Sequence, residues 1–218
     1  MSGTDIVQRL AQLDTPAVSD ALDRLDQPGR VIHLRRLTTE NRIAGRVLTV
    51  KLGTGEALSG PLRHLCTAAV EAAGPGDVLV IEQRSGIDAA GWGGILSNGA
   101  KARGIEGVIC DGPVRDVDES RDLDFPVFAE RATPTTARGR IVEEAFNEPV
   151  TVGDHTVSPG DYVLADGSGI CFLAQDRAEE ILATAEMIAK REALMTKDVL
   201  AGKPISEVMG ADYEKMLD

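Results

Sequence analysis

Aromatic side chains are scarce in this chain of 218 residues, which contains one Trp, two Tyr and four Phe. A buried core must therefore consist mostly of Val, Ile, Leu and Ala. Hydrophobic residues make up 43% and charged residues 27% of the chain, which is the balance of an ordinary globular protein. The length is sufficient for one well-buried core, and we predict a single domain spanning residues 1–218.

Positive charge is also in short supply, because 23 Lys and Arg stand against 35 Asp and Glu, a formal net charge of −12. Nucleic-acid binding rests largely on clustered Lys and Arg, so this balance argues against a nucleic-acid partner. The sequence has no apolar run of the roughly 18 residues that a membrane span needs. Its polar start, Met1 to Asp5, does not resemble a signal peptide, so we expect a cytoplasmic protein without a membrane partner.

Cysteine and histidine are few, with three of each. Cys66, Cys110 and Cys171 lack C-x-x-C spacing and stand in apolar neighbourhoods, so we expect buried thiols. On a helical stretch His64 and Cys66 would point to different faces, which argues against a zinc site. The absence of an elbow motif with a histidine partner argues against a Ser-His-Asp nucleophile.

A strand–helix–strand pattern is the most informative feature that the chain does contain. Two apolar runs, 77–81 and 107–110, suit buried strands, and a helix-like stretch opens between them near Gly93 and closes at Gly104. In such a unit the helix starts at the sheet edge where the first strand ended, and the second strand returns to that edge. The pattern therefore predicts a crevice at the carboxyl ends of the strands.

We predict that this crevice is a small-molecule site. Free amides at a helix start bind carboxylate or phosphate, and glycines let a ligand approach the backbone closely. Arg115 adds a planar charged fork suited to a carboxylate or enolate oxygen, and Asp116 adds a hard oxygen ligand for Mg²⁺ or Mn²⁺. Together these groups suit a small 2-oxo acid. The amides predicted to bind it are those of Gly93, Gly94, Ile95 and Leu96.

Each of these residues also has a plainer interpretation. Asp116-x-x-Glu119 has the spacing of a capping box, and a helix cap is compatible with a metal role. Arg115 alone suits a surface ion pair, and Gly93-Gly94 alone suits close helix–sheet packing. The joint spacing of these three features favours the functional interpretation.

Two glycine-rich loops and one lysine are weaker candidates. Residues 53–56 and 167–169 look like phosphate loops but lack the P-loop and dinucleotide patterns, which favours turns and argues against a methyltransferase. Lys51 is a candidate Schiff-base nucleophile of a class I aldolase. Strand alternation puts it opposite Val50 and Leu52, so an exposed strand face is the favoured account.

The remaining patterns predict an α/β layered fold with N-terminal helices and a long C-terminal helix. Asp5 with Gln8, Thr15 with Pro16, and Asp176 with Glu179 carry the cap patterns of three helices. The predicted helices are an N-terminal pair ending at Leu13 and Leu25, a third over 62–73, a long one ended by Gly202-Lys203-Pro204, and a tail helix over 205–217. Further strands are predicted over 46–52, 126–128, 149–152, 156–157, 162–164 and 170–173.

The segment with the predicted site resembles the RraA-like family. The matching pattern is Trp-Gly-Gly-Ile-Leu over 92–96, Ala-Arg-Gly over 102–104 and Gly-Val-Ile-Cys-Asp-Gly-Pro-Val-Arg-Asp-Val-Asp-Glu over 107–119. The family includes class II 4-hydroxy-4-methyl-2-oxoglutarate/4-carboxy-4-hydroxy-2-oxoadipate aldolases and regulators of ribonuclease activity A. The resemblance implies a swivelling β/β/α sandwich that assembles as a homotrimer or homohexamer.

Two functions follow from this resemblance. The first is a divalent-metal-dependent lyase with oxaloacetate decarboxylase activity, in which Arg115 and Asp116 are catalytic and Asp116 holds Mg²⁺ or Mn²⁺. The alternative is a protein-binding regulator without efficient catalysis. Aldolase members usually carry an aspartate implicated in holding metal-bound water where this chain has Gly94, as regulator-type members do. If another carboxylate compensates, the candidates are Glu56, Asp88 and Glu119.

Overall fold

A mixed β-sheet of nine strands forms the centre of the computed structural model, which describes residues 3–59 and 63–210. Its strands are β1 (Arg30–Val31), β2 (Arg35–Arg36), β3 (Ile43–Gly53), β4 (Asp77–Gln83), β5 (Gly107–Val114), β6 (Val127–Ala132), β7 (Val142–Phe146), β10 (Tyr162–Ala165) and β11 (Ile170–Leu173), and β8 (Val150–Val152) pairs with β9 (His155–Val157) in a separate hairpin. The helices are α1 (Gly3–Leu10), α2 (Thr15–Arg24), α3 (Thr67–Ala72), α4 (Gly94–Ala102), α5 (Val117–Asp122), α6 (Ala178–Leu200) and α7 (Ile205–Val208).

The middle of the sheet is parallel. Strands β3, β4, β5 and β6 lie side by side in chain order, joined by crossovers that contain α3, α4 and α5. Strands β10, β11 and β1 extend the sheet antiparallel on one side, β2 pairs with β6 on the other, and β7 pairs with β3. The carboxyl ends of β4 and β5 therefore meet at one edge, as the strand–helix–strand pattern predicts.

Both faces of the sheet are buried, which gives the fold three layers. In β4, Leu79 and Ile81 face the core shared with the helices, whereas Val78 and Val80 face the core shared with the β8–β9 hairpin. A hairpin, a sheet and a layer of helices make the β/β/α arrangement that the resemblance implies. The α/β fold and its long C-terminal helix are confirmed.

The terminal helices form a second packing unit against β10 and β11. The apolar face of α6 and the faces of α1 and α2 share one core. Arg9 of α1 ties the helices together, with its Nε 2.8 Å from Glu186 and its Nη1 2.8 Å from Glu179, both on α6. None of the helices within residues 3–59 and 63–210 is long and apolar enough to cross a membrane.

Several predicted helix starts are wrong by one or more residues. Asp14, rather than Thr15, caps α2, because its side chain accepts a hydrogen bond from the Ala17 amide at 3.0 Å. Arg177, rather than Asp176, occupies the N-cap of α6 and makes no side-chain cap bond. The first predicted helix ends at Leu10 instead of Leu13, and the third begins at Thr67, after Cys66 in a left-handed conformation.

The short strands β1, β2 and β7 were not predicted, because they contain two to five residues and carry charged side chains. The predicted tail helix begins at Ile205 but ends at Val208, so the prediction is wrong for residues 209 and 210. Residues 211–217 of that prediction lie outside the described residues. The prediction of one domain over residues 1–218 stays a prediction.

Candidate functional site

The crevice forms where the segment leading into α4 runs beside the end of β5. The Arg115 amide donates to the carbonyl of Trp92 at 3.0 Å, which fixes the two segments side by side. A Cβ added at Gly93 would lie 2.9 Å from Oδ2 of Asp116 and 3.2 Å from Nε of Arg115. The absence of a side chain at Gly93 therefore lets Arg115 and Asp116 lie directly against the start of α4.

A bulge in β5 precedes the Arg-Asp pair. The pairing of β5 with β6 shifts register between Cys110 and Pro113, and Gly112 between them has φ +151°. A Cβ at Gly112 would overlap the backbone carbonyl of Gln83, so only glycine fits this position. Bulges of this kind re-aim the side chains that follow them, which here are those of the site.

Asp116 adopts a left-handed backbone conformation with φ +56° at the N-cap position of α5. Its side chain makes no cap bond to α5, so the alternative interpretation of Asp116 as part of a capping box is wrong. Instead, Oδ2 accepts the Gly94 amide at 2.9 Å and lies 3.2 Å from Nε of Arg115. The left-handed turn thus brings the carboxylate to the start of α4 rather than to its own helix.

Glu119 supplies a second carboxylate at the same place. A Cβ added at Gly94 would overlap Oε2 of Glu119, and Asn98 of α4 donates from Nδ2 to Oε1 at 2.8 Å. The space that a side chain at position 94 would fill is therefore occupied by the carboxylate of Glu119. None of the three candidate carboxylates lines either cavity described below. Asp88 pairs with Arg131 at 2.9 Å, whereas Glu119 lies against Gly94.

A buried hydrogen-bonded chain fixes α4 against α5. Trp92 donates from Nε1 to Oγ of Ser97 at 2.8 Å, and that oxygen lies 2.8 Å from Oγ of Ser120. Trp92 also stacks on Phe125 with ring centroids 6.4 Å apart. Since Ser97 is on α4 and Ser120 is on α5, this chain holds Glu119 in place beside the helix start. The sequence carries no local signal for these serines.

A cavity of about 270 Å³ opens over the start of α4. All six residues predicted to form the site line it. The Gly94 amide is bonded to Asp116, whereas the amides of Ile95 and Leu96 belong to the first turn and have no acceptor within the helix. The lining residues are His64, Leu65, Thr67, Ala90, Gly91, Trp92, Gly93, Gly94, Ile95, Leu96, Arg115, Asp116, Thr136 and Ala137. The other eight lining residues are not among those predicted to form the site.

The two carboxylates fit a magnesium-like ion. Within residues 3–59 and 63–210, no group of three or more His, Cys, Asp and Glu is arranged to hold a metal. Mg²⁺ does not need such a cage, because it keeps several waters and binds through one or two carboxylates. Asp116, with a side chain 37% exposed, and Glu119 offer those two carboxylates over one helix start.

The other candidates stand apart from the crevice. Lys51 is half-exposed, with Nζ 3.8 Å from Oε2 of Glu144, as expected for an exposed strand face. All three cysteines are free and buried, as predicted. Burial raises the pKa of the Cys171 thiol to about 12 and also raises the pKa of Cys66 and Cys110. These thiols are thus poor candidates for nucleophiles at neutral pH.

Comparison with known proteins identifies the family of this chain. The family model described as RraA-like, Aldolase/RraA, matches residues 15–172, which include the whole crevice. The chain belongs to the RraA-like family. A relative from Halalkalibacterium halodurans, provisionally named a 4-hydroxy-4-methyl-2-oxoglutarate aldolase, is 28% identical over 94% of this RraA-like chain and 95% of its own length. Protein DlpA of Legionella pneumophila is 25% identical over 93% of the chain, which spans only 33% of DlpA.

Two solved structures have the same fold as this RraA-like protein. The crystal structure of an uncharacterized protein from Pseudomonas syringae pv. tomato has a TM-score of 0.86 at 25% identity, covering 95% of this chain and 93% of its own. Streptomyces coelicolor RraAS2, described as an unusual member of the RNase ES inhibitor RraA protein family, has a TM-score of 0.76 at 25% identity. That match covers 87% of this chain and 94% of RraAS2.

Proposed function

We propose that this RraA-like protein is a divalent-metal-dependent lyase that cleaves a carbon–carbon bond of a pyruvate-containing 2-oxo acid. The reaction is of the 4-hydroxy-4-methyl-2-oxoglutarate aldolase type, accompanied by decarboxylation of oxaloacetate. One observation carries the proposal: Arg115, Asp116 and the start of α4 border one cavity, and the carboxylate of Glu119 lies against Gly94 at that helix start. Relatives named as such aldolases support the reaction type.

The substrate's 2-oxo acid end suits the start of α4. Its carboxylate is bound by the amides of Ile95 and Leu96, which have no intrahelical acceptor, and the helix dipole favours the negative charge. Its 2-oxo oxygen is bound by the guanidinium of Arg115, which borders the same cavity. Asp116 keeps that guanidinium in position through the 3.2 Å contact at Nε.

Cleavage of a 4-hydroxy-2-oxo acid needs a base and a place for the electron pair. The C4 hydroxyl gives its proton to Glu119, the C3–C4 bond breaks, and the electron pair forms an enolate across C2 and C3. Arg115 stabilises the negative charge at the former 2-oxo oxygen, and preorganised charge of this kind is generally a large catalytic contribution. Proton return to C3 then gives pyruvate.

Asp116, with Glu119 acting through water, would hold the divalent cation, Mg²⁺ or Mn²⁺. When bound, the cation supplies Lewis-acid charge that lowers the energy of the enolate. Oxaloacetate loses carbon dioxide through the same enolate, so decarboxylation reports on the same residues without the C4 hydroxyl.

The test is pyruvate release from oxaloacetate with and without added Mg²⁺ or Mn²⁺, followed by cleavage of 4-hydroxy-4-methyl-2-oxoglutarate. Glu119→Gln should lower the cleavage rate by about 10² or more, since it removes the base. Asp118→Asn is the matched control, because Asp118 lies on the same short helix, exposed and paired with Arg121. Absence of metal-dependent pyruvate release from both substrates would overturn the proposal.

The alternative function is a protein-binding regulator without efficient catalysis. Gly94 favours it, as does the likeness to RraAS2. A regulator would bind no 2-oxo acid at the crevice, so titration of pyruvate against the metal-loaded protein by calorimetry separates the two functions. Saturable binding that is lost in Arg115→Ala supports the lyase.

We also propose that the protein assembles as a homotrimer or homohexamer in the cytoplasm. Ile95 and Leu58 leave apolar side chains exposed beside the cavities, and apolar surface of this kind is often buried between subunits. Multi-angle light scattering at micromolar concentration should give a mass of three or six chains. A monomer would contradict the assembly.

A further inference from the structure

Glu119 reaches the start of α4 from a different helix. It lies on α5, a helix of six residues, and its Oε2 occupies the space beside Gly94. The contact between Ser97 and Ser120 fixes the backbone of α5 against α4. A glutamate side chain still turns about several bonds beyond its backbone, and holding it in one position has an entropic cost. A base that acts on one substrate hydroxyl therefore needs a further contact that selects its position.

Asn98 of α4 supplies that contact. Its Nδ2 donates one hydrogen to Oε1 of Glu119 at 2.8 Å and the other to the carbonyl of Gly94 at 3.0 Å. A carbonyl and an ionised carboxylate can only accept hydrogen bonds, so the amide nitrogen of Asn98, and not its oxygen, must face them. The asparagine thus ties the carboxylate of Glu119 to the first turn of α4.

This arrangement distinguishes the two carboxylate oxygens of Glu119. Oε1 is held by Asn98, whereas Oε2 is the oxygen nearest to the Cβ position of Gly94. Asn98 and Gly94 are four residues apart and therefore share one side of α4. Oε2 is thus the oxygen directed at the helix start, where the C4 hydroxyl gives up its proton in the proposed reaction.

We propose that Asn98 is a positioning residue that holds Glu119 with Oε2 directed at the C4 hydroxyl of the substrate. The inference rests on the proposed lyase function and adds a residue to that same site. Asn98 takes no part in the bond changes, because the proton passes from the C4 hydroxyl to Oε2 as the C3–C4 bond breaks. Its contribution is geometric, and a small displacement of a reacting group can lower a rate by about 10².

The experiment compares two reactions of the metal-loaded protein. Cleavage of 4-hydroxy-4-methyl-2-oxoglutarate needs the base, whereas oxaloacetate has no C4 hydroxyl to deprotonate. Asn98→Ala should lower kcat for cleavage by about tenfold or more, which is the effect of losing a hydrogen bond to a charged group. The rate of oxaloacetate decarboxylation should fall much less, so the ratio of the two rates is the decisive measurement.

Asn41 provides the matched control. Its Nδ2 donates to Oδ1 of Asp124 at 2.8 Å, an exposed bond of the same amide-to-carboxylate kind, and neither residue lines a cavity described above. Asn41→Ala should leave both rates unchanged. Asn98→Asp is a second variant of the proposed residue, which keeps the size of the side chain but replaces the donor by an acceptor. It should lower cleavage at least as much as Asn98→Ala, and circular dichroism melts verify that all variants fold.

A double-mutant cycle separates positioning from general support of the fold. If Asn98 acts through Glu119, Asn98→Ala should have almost no further effect on cleavage in the Glu119→Gln background, because the group that Asn98 positions is no longer a base. Two substitutions that act independently would instead multiply their effects on the rate.

Each contrary outcome has a distinct meaning. If the wild-type protein acts on both substrates and Asn98→Ala behaves like Asn41→Ala, the positioning role is overturned and the lyase function stands. The same holds if Asn98→Ala slows both reactions equally, or if its effect multiplies with that of Glu119→Gln. If neither substrate releases pyruvate, the proposed function fails, and the inference fails with it.

Discussion

Two neighbouring aspartates, Asp111 within β5 and Asp116 two residues beyond its end, have opposite environments. Asp111 is 6% exposed, and its carboxylate oxygens lie 2.8 Å from Nε2 of His33, 2.8 Å from the Gly153 amide and 3.6 Å from Nε of Arg84. Those partners come from three separate segments. Asp111 therefore acts as an anchor that holds the β8–β9 turn against the sheet.

Asp116 is half-exposed, and its partners among the described residues are the Gly94 amide and the Arg115 guanidinium, both at Oδ2. Within residues 3–59 and 63–210, Oδ1 of Asp116 has no hydrogen-bond partner, so its lone pairs can accept a ligand. A carboxylate whose oxygens are all hydrogen-bonded stabilises the fold, whereas a carboxylate with a free oxygen can bind a ligand. The comparison predicts that substitution of Asp111 lowers stability, whereas substitution of Asp116 lowers catalytic activity.

The largest expected effect is that of Asp116→Asn on catalysis. The amide still accepts a hydrogen bond from Gly94, and asparagine tolerates the left-handed backbone, so the fold should be retained. The negative charge is lost, and metal-dependent decarboxylation of oxaloacetate should fall by about 10²–10³. The decarboxylation rate of chelator-treated wild-type protein should fall to the same level.

The melting temperature of Asp116→Asn, measured on the same samples, should stay close to that of the wild type. Asp118→Asn is the control, since it removes a neighbouring exposed carboxylate paired with Arg121. Full metal-dependent activity in Asp116→Asn would contradict the binding role of Asp116.

Arg115→Lys should have the next largest effect. Lysine keeps the positive charge but loses the planar fork that binds two oxygens at once. Loss of a charge-assisted hydrogen bond should lower kcat/KM for oxaloacetate by roughly 10- to 100-fold. Arg121→Lys on α5, which lines neither cavity, is the control. Equal kinetics in Arg115→Lys and Arg121→Lys would mean that Arg115 does not bind substrate.

The site was predictable from sequence where it depends on chain periodicity. The apolar runs before and after the segment opening at Gly93 determine which edge of the sheet carries the helix start and Arg115. The spacing of apolar runs does not determine the backbone conformation of a single residue. The left-handed turn at Asp116 was therefore missed, and with it the contact to Gly94.

Contacts between helices were equally inaccessible to sequence reasoning. Glu119 was one of three candidate carboxylates, because nothing local separates it from Glu56 or Asp88. Only the packing of α5 on α4 brings it beside Gly94. Strand β7 was missed for a similar reason, since its residues become a strand through pairing with β3.

Asp111→Ala should reverse the pattern expected at Asp116. It leaves the Gly153 amide and the side chains of His33 and Arg84 without their shared acceptor, which should lower the free energy of unfolding by about 1–3 kcal/mol. Urea denaturation measures that change, with Asp118→Ala as an exposed control. The decarboxylation rate of the folded variant should be unchanged, because Asp111 does not line the cavity. A stable variant with a slowed reaction would contradict the division between anchor and site.

The smallest expected effect concerns the position of the second carboxylate. A side chain at Gly94 meets the flexible end of Glu119, so Gly94→Asp can be accommodated if Glu119 moves aside. The new carboxylate then replaces the old one, and cleavage of 4-hydroxy-4-methyl-2-oxoglutarate should stay within a few-fold of wild type. In the Glu119→Gln background the same substitution should restore activity by about tenfold, because a proton acceptor returns to the helix start. Gly94→Asn in that background is the matched control, since it fills the same space without a charge. If the aspartate restores no more activity than the asparagine, the carboxylate of Glu119 is not acting as the base that the proposed reaction needs.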